Sequence, residues 1–130
     1  MTNSTEFITQ ALQAVISRPE HDLRVIETFF APNYRQTVDG IELDYMHFVA
    51  HMAKLKQITD TMELTILTIA QQGDTVLSHH VVNVVKTNGL QVLTEVFASF
   101  TLEKGRIVAC QELTRAIGGS EEDKRLGSIY

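Results

Sequence analysis

Three side chains in the second half of the chain, His80, Glu95 and Glu112, are of the types that move protons, and each falls inside a stretch rich in Val, Thr and Phe. Such stretches send alternate side chains to opposite faces, so register decides which of the three can act together. Compact turns at Gln72-Gly73, Asn88-Gly89 and Lys104-Gly105 separate the stretches. Asn-Gly is a strong signal for a two-residue hairpin, because both central residues of that turn take positive φ. With Asn88-Gly89 at the centre, Val82 pairs with Glu95, His80 with Phe97 and Ser78 with Ser99. With Lys104-Gly105 in the same part, Phe97 faces Glu112 and Ser99 faces Cys110. One face is then expected to gather His80, Glu95, Phe97, Ser99, Cys110 and Glu112. The other is expected to hold Leu77, His79, Val81, Val96, Phe100 and Leu113. A slip of one residue in either hairpin exchanges His79 and His80.

A histidine beside two acids can relay protons or hold a substrate carbonyl. It can equally be a core histidine satisfied by one carboxylate. Burying three such groups unpaired costs several kcal/mol each, which favours use over mere structure. Tyr34 and Gln36 alternate onto one side of a short strand, Tyr34 to Val38, and can reach a cavity mouth or pack at its rim. Cys110 has no histidine in a catalytic arrangement and reads as an inert thiol of pocket or core. His47 and His51 share a helical face, a spacing able to bind metal. No Asp, Glu or Cys set completes such a site, so they read as surface histidines beside Lys54. No glycine pattern that would cradle phosphate is present, and no metal or cofactor is expected.

The elements that must carry these residues fall into two halves. Phe7, Ile8, Ala11, Leu12, Val15 and Ile16 form one apolar helical stripe, with Asn3 and Glu6 as an N-terminal cap. Arg18-Pro19 interrupts it, and Pro19 suits the first turn of a second helix that carries Leu23, Ile26, Phe29 and Phe30 and ends by Pro32. A strand follows, stopped by Asp39-Gly40, and then a third helix with Phe48, Met52 and Leu55 on one side. From Thr61 the pattern becomes four long strands in an antiparallel meander. Strands of that length twist and bend, and a bent sheet under helices leaves a hollow between the two. Three helices cannot cover both faces of such a sheet, so the second face is expected to meet another copy of the chain.

The helix-then-meander order, with Phe30-Ala31-Pro32-Asn33-Tyr34, Gly73-Asp74-Thr75-Val76 and Gly105-Arg106-Ile107-Val108, resembles the SnoaL-like branch of the nuclear transport factor 2-like superfamily, which includes polyketide cyclases and ketosteroid isomerases. The resemblance spans about residues 5 to 117. It implies a cone-shaped α+β barrel, three N-terminal helices on a long curved antiparallel sheet, usually dimeric, with a ligand cavity between them. Where relatives read Tyr-x-x-His, this chain reads Tyr34-Arg35-Gln36-Thr37. Where relatives carry a Trp-Asp pair, Gln111 and Glu112 stand. No residue matches the aspartate base of the isomerases, Val38 or Asp39 being nearest. The resemblance puts Glu112 on the cavity face, where desolvation would raise its pKa toward that of a general acid or base. A carboxylate paired to arginine or facing water is the other reading.

The remaining arithmetic narrows the class. A chain of 130 residues that is 44% hydrophobic is one domain, residues 1–117, with 118–130 a charged tail that is flexible or at an interface. A net charge of −5 with scattered basic residues argues against nucleic acid. No apolar run approaches the ~20 residues needed to cross a bilayer. The start, MTNSTEF, shows no secretory signal, and a single cysteine suits a reducing cytoplasm. The expectation is a dimeric pocket protein for a hydrophobic small molecule bearing a carbonyl or hydroxyl. As an enzyme it would perform cofactor-free cyclisation, isomerisation or hydration, with Glu112 and His80 catalytic and Tyr34, Gln36, Glu95, Phe97, Ser99 and Cys110 around the substrate. The alternative is a non-catalytic binding or interaction module of the same fold.

Overall fold

A computed structural model describes residues 3–117. The expected tail at 118–130 lies outside the described residues. The elements run α1 (Ser4–Leu12), a π-helical continuation (Gln13–Ser17), α2 (Leu23–Phe29), β1 (Phe30–Val38), β2 (Ile41–Asp44), α3 (Tyr45–Ile58), β3 (Thr59–Gln72), β4 (Thr75–Lys86), β5 (Gln91–Glu103) and β6 (Arg106–Ile117). Each helix starts on a short polar side chain that accepts from otherwise unpartnered backbone N–H groups: Asn3 from Thr5 and Glu6, Asp22 from Arg24, Asp44 from His47. Asp22, not Pro19, therefore opens α2, and Pro19 lies in the bend before it.

The sheet has six strands rather than four, in the order β2-β1-β6-β5-β4-β3. β1 begins at Phe30, earlier than expected, and pairs parallel to β6 at Phe30 and again from Arg35. Pro32 falls in the gap between those pairings, where its missing N–H breaks no ladder bond. The short β2 is a hairpin partner of β1, its turn made by Asp39 (φ 50) and Gly40 (φ 85). Bulges in β3 and between β5 and β6 bend the long strands, and the curled sheet closes around the three helices. Ile8, Leu12 and Val15 from the first helix, Phe48 and Met52 from α3 and Val76, Val96 and Phe100 from the sheet fill the space between.

Two hairpins depart from the register that two-residue turns at Asn-Gly and Lys-Gly suggest. Between β4 and β5, Lys86 N–H donates to Leu90 O at 2.8 Å and Gly89 N–H to Lys86 O at 2.8 Å, so the loop holds three residues, Thr87, Asn88 and Gly89. Only Gly89 has positive φ (87°), as a three-residue hairpin requires of its last position. The pairing shifts by one: Val81 faces Glu95, His80 faces Val96 and His79 faces Phe97. Between β5 and β6 the turn is the expected one, with Lys104 at φ 52° and Gly105 at 79°. A bulge at Val108 then moves the register by one, from Leu102↔Ile107 to Thr101↔Ala109.

Between β4 and β6 the two shifts add to two residues, so His80 lines up through Val96 with Thr114 rather than through Phe97 with Glu112. Parity is kept, and only β5 is inverted. His80, Cys110 and Glu112 share the helix-facing side, as expected, together with Ser78 and Thr114. Glu95, Phe97 and Ser99 do not join them. They stand on the outer side with His79, while Val96 and Phe100, expected outside, are core.

Candidate active site

The hollow between helices and sheet is a cavity of about 130 Å³. α1 and α3 form its roof, β1, β4, β5 and β6 its floor. Its walls are mostly apolar, and the polar groups reaching it include Tyr34, Gln36, His51, His80 and Glu112.

Glu112 sits on β6 opposite Ala98 of β5 and beside Val38 of β1. Burial is the main cause that pushes its carboxyl up to about 7, and the Asp39 carboxylate adds to it. The Cys110 thiol donates to Glu112 Oε2 at 3.7 Å and pulls the other way. A carboxyl poised there is present in both protonation states near neutral pH, as a general acid or base requires. Asp39 is in turn held by Thr114, whose N–H donates to Oδ1 at 2.8 Å and whose hydroxyl donates to Oδ2.

Tyr34 and Gln36 are both buried at the cavity wall, two apart on β1. The Tyr34 hydroxyl donates to Gln36 Oε1 at 2.9 Å, which leaves the Gln36 Nε2 hydrogens as the donors of the pair. Phe30 and Phe48 pack against the Tyr34 ring at centroid distances of 4.7 and 4.8 Å and lock its direction. Burial, with help from Cys110 and Glu112, keeps the phenol well above its usual pKa, so it stays a neutral donor. Cys110 is buried against these two groups; burial, with Glu112, drives its thiol up, which argues against a nucleophile.

His80 is 1% exposed and shares a 2.8 Å hydrogen bond between Nδ1 and Ser78 Oγ. Burial, and secondarily the charge of His79, lowers its pKa to about 4, so it is a neutral imidazole at physiological pH. It lies two strands from Glu112 and further along the sheet. Strand spacing puts Ser78 and Glu112, joined through Ala98, about 10 Å apart at the backbone. His80 and Glu112 are therefore too far apart to pass a proton directly.

Glu95, expected in this group, instead bonds His79 Nε2 at 2.8 Å and Arg115 at 3.0 Å on the outer face. These bonds, His79 first, hold its carboxyl below the usual range. Phe97 stacks on the His79 ring there, with centroids 4.1 Å apart, and Ser99 stands opposite Leu77.

His51 is the cavity residue that sequence reasoning missed. It is 4% exposed rather than on the surface, and its spacing of three from Phe48 and four from Leu55 already placed it on the apolar stripe of α3. His47, its expected companion, instead bonds through its ring Nδ1 to the carboxylate of Asp44, the residue that caps α3, at 2.7 Å. Among the described residues no three His, Cys, Asp or Glu side chains gather as a metal site.

Residues 7–110 match the SnoaL-like domain. The chain belongs to the SnoaL-like domain family. An uncharacterised Schizosaccharomyces pombe protein is 29% identical over 127 residues, covering 98% of this chain and 97% of that protein. Among solved structures, wild-type IdmH from Streptomyces antibioticus, a proposed polyketide cyclase, aligns with a TM-score of 0.75 at 16% identity over 97% of both chains. A proposed SnoaL-like polyketide cyclase from Jannaschia sp. CCS1 aligns at 0.67 and 15% identity, covering 88% of this chain and 89% of that one. At these identities the likeness is one of fold, and it agrees with the cone of three helices on a curved, mostly antiparallel sheet. The SnoaL-like match ends at residue 110, so the case for Glu112 rests on its own surroundings.

Proposed function

We propose that this SnoaL-like protein binds a hydrophobic small molecule bearing a carbonyl or hydroxyl, and that Glu112 serves as its general acid and base without a cofactor. The observation that carries the reading is a carboxyl held near pKa 7 at the wall of an apolar cavity, beside a Gln36 amide oriented as a donor by Tyr34. In the base form, Glu112 takes a proton from the carbon next to the ligand carbonyl. The electron pair of the broken C–H bond moves onto the carbonyl oxygen, where Gln36 Nε2–H donates to it. The proton then returns from Glu112 to a second carbon in an isomerisation. In a cyclisation the enol carbon instead bonds to a second carbonyl, whose oxygen takes the proton. His80 supplies a neutral hydrogen-bonding group toward the β4 side.

Thr37, where many relatives carry histidine, favours the second reading, a binding module of the same fold that holds the ligand without turning it over. NMR titration of the Glu112 carboxyl separates the two. A midpoint near 7 supports catalysis, whereas an ordinary glutamate midpoint removes the mechanism and leaves the binder.

The outer face supports a homodimer through the sheet: Leu77, Phe97 and Leu113 are 56%, 52% and 68% exposed on adjacent strands, an apolar patch of the kind that marks interaction surfaces. The buried free thiol of Cys110 suits a reducing cytoplasm, and no helix among the described residues is long and apolar enough to cross a membrane.

A further inference from the structure

Resting on that reading of the cone, three observations narrow its ligand. The cavity measures about 130 Å³, close to the volume of about 150 Å³ that accommodates one benzene in an engineered protein core. No lysine or arginine lines it, so a carboxylate or phosphate entering it would lose its water without gaining a cation. The His51 imidazole lines the roof, on α3, and its buried Nδ1 has no hydrogen-bond partner among the described residues. A buried polar atom left unpaired is a cost that folded proteins rarely retain, and a ligand atom removes it. Burial keeps this imidazole neutral, with its pKa lowered to about 4, so it offers a hydrogen bond and no charge. Phe48, Met52, Val82 and Phe100 line the same cavity.

We infer that His51 is a second ligand-binding residue, and that the ligand is an uncharged molecule of about one ring with a polar atom at each end, one toward Glu112 and Gln36 and the other toward His51. The reacting end meets the sheet, and His51 selects for the far end.

Four probes test this at about pH 7.5 by NMR titration: 4-hydroxybenzyl alcohol with two polar ends, benzyl alcohol with one, benzoate with a charge, and 2-naphthol with two rings. The expected result is tightest binding of 4-hydroxybenzyl alcohol, with the His51 ring signals of the unmodified protein moving on saturation. Loss of one neutral hydrogen bond in His51→Leu weakens that probe about threefold to tenfold and benzyl alcohol less than about twofold. His51→Gln, which keeps a polar end, recovers part of the loss. Equal weakening of both alcohols by His51→Leu would reduce His51 to a wall residue and overturn the inference. So would unmoved His51 signals, tighter binding of benzoate or 2-naphthol, or no binding of any probe. These readouts need no turnover. A failed His51 arm beside a Glu112 that titrates near 7 sinks only this inference, and an ordinary Glu112 with the probe still held by His51 sinks only the proposed catalysis.

Discussion

The Asp39 carboxylate accepts two hydrogen bonds from Thr114, one from the backbone N–H at 2.8 Å and one from the hydroxyl. A turn residue of the β1–β2 hairpin is thereby fastened to β6, two positions beyond Glu112. Asp39 N–H also donates to Glu112 O at 3.0 Å, so the two carboxylates are held on neighbouring strands and the charge of one opposes ionisation of the other.

Asp39→Asn tests that coupling. Asparagine tolerates the positive φ of 50° found there, and its side-chain oxygen can still accept from Thr114. The Glu112 midpoint is expected to fall below about 7 by a fraction of a pH unit, read by NMR titration. An unchanged midpoint would leave burial as its sole cause.

Glu112→Gln has a stability signature whose sign follows from linkage. Between the ordinary value of 4.5 and about 7, the folded chain keeps a proton that the unfolded chain has released. Stability therefore falls as pH rises through that window and levels off above it. A shift of this size corresponds to about 3 kcal/mol at most. Urea unfolding should find Glu112→Gln more stable than the unmodified protein at pH 8 by roughly 2–3 kcal/mol and nearly equal at pH 4. A variant less stable at pH 8 would mean that the carboxylate is paired in the fold.

The buried histidines work in the opposite direction. His51 and His80 both stay neutral to about pH 4 in the fold, while the unfolded chain protonates near 6.5. The unfolded state then binds more protons, so stability is present above 6.5 and is lost as pH falls from 6.5 toward 4, by up to about 3 kcal/mol for each group. In His51→Leu the acid-side slope of unfolding free energy against pH should shrink by close to one proton. Identical slopes would mean that the His51 ring is solvated.

On the outer face, Leu113→Glu places a carboxylate directly opposite Phe97 in the apolar patch. The expected outcome by size-exclusion chromatography at micromolar concentration is a dimer for the unmodified protein and a monomer for the variant, with Glu112 titrating as before. A monomer in both cases would remove the sheet-to-sheet assembly.

Local rules made much of this molecule legible. The helical stripes from Phe7 to Leu55, the long β stretches and the Lys104-Gly105 turn all depend on neighbours a few residues away. The shared parity of His80 and Glu112 survives because the two shifts add to an even number of residues. The orientation of β5 does not. Asn88-Gly89 is compatible with a two- or a three-residue loop, and packing chooses the register that buries Val92, Val96, Ala98 and Phe100 rather than Glu95 and Phe97. The bulge at Val108 then brings β6 back into phase.

Residues far apart in the chain had to meet before the site acquired its chemistry. The parallel pairing of β1 with β6 brings Asp39 beside Glu112 and Gln36 beside Cys110, and curling the sheet under α3 turns His51 from a surface residue into a wall of the cavity. Periodicity along a strand or helix names the residues of a face. Whether that face is dry, and what stands across from it, follows only when the helices close over the bent sheet, because desolvation and charge coupling depend on distance through space.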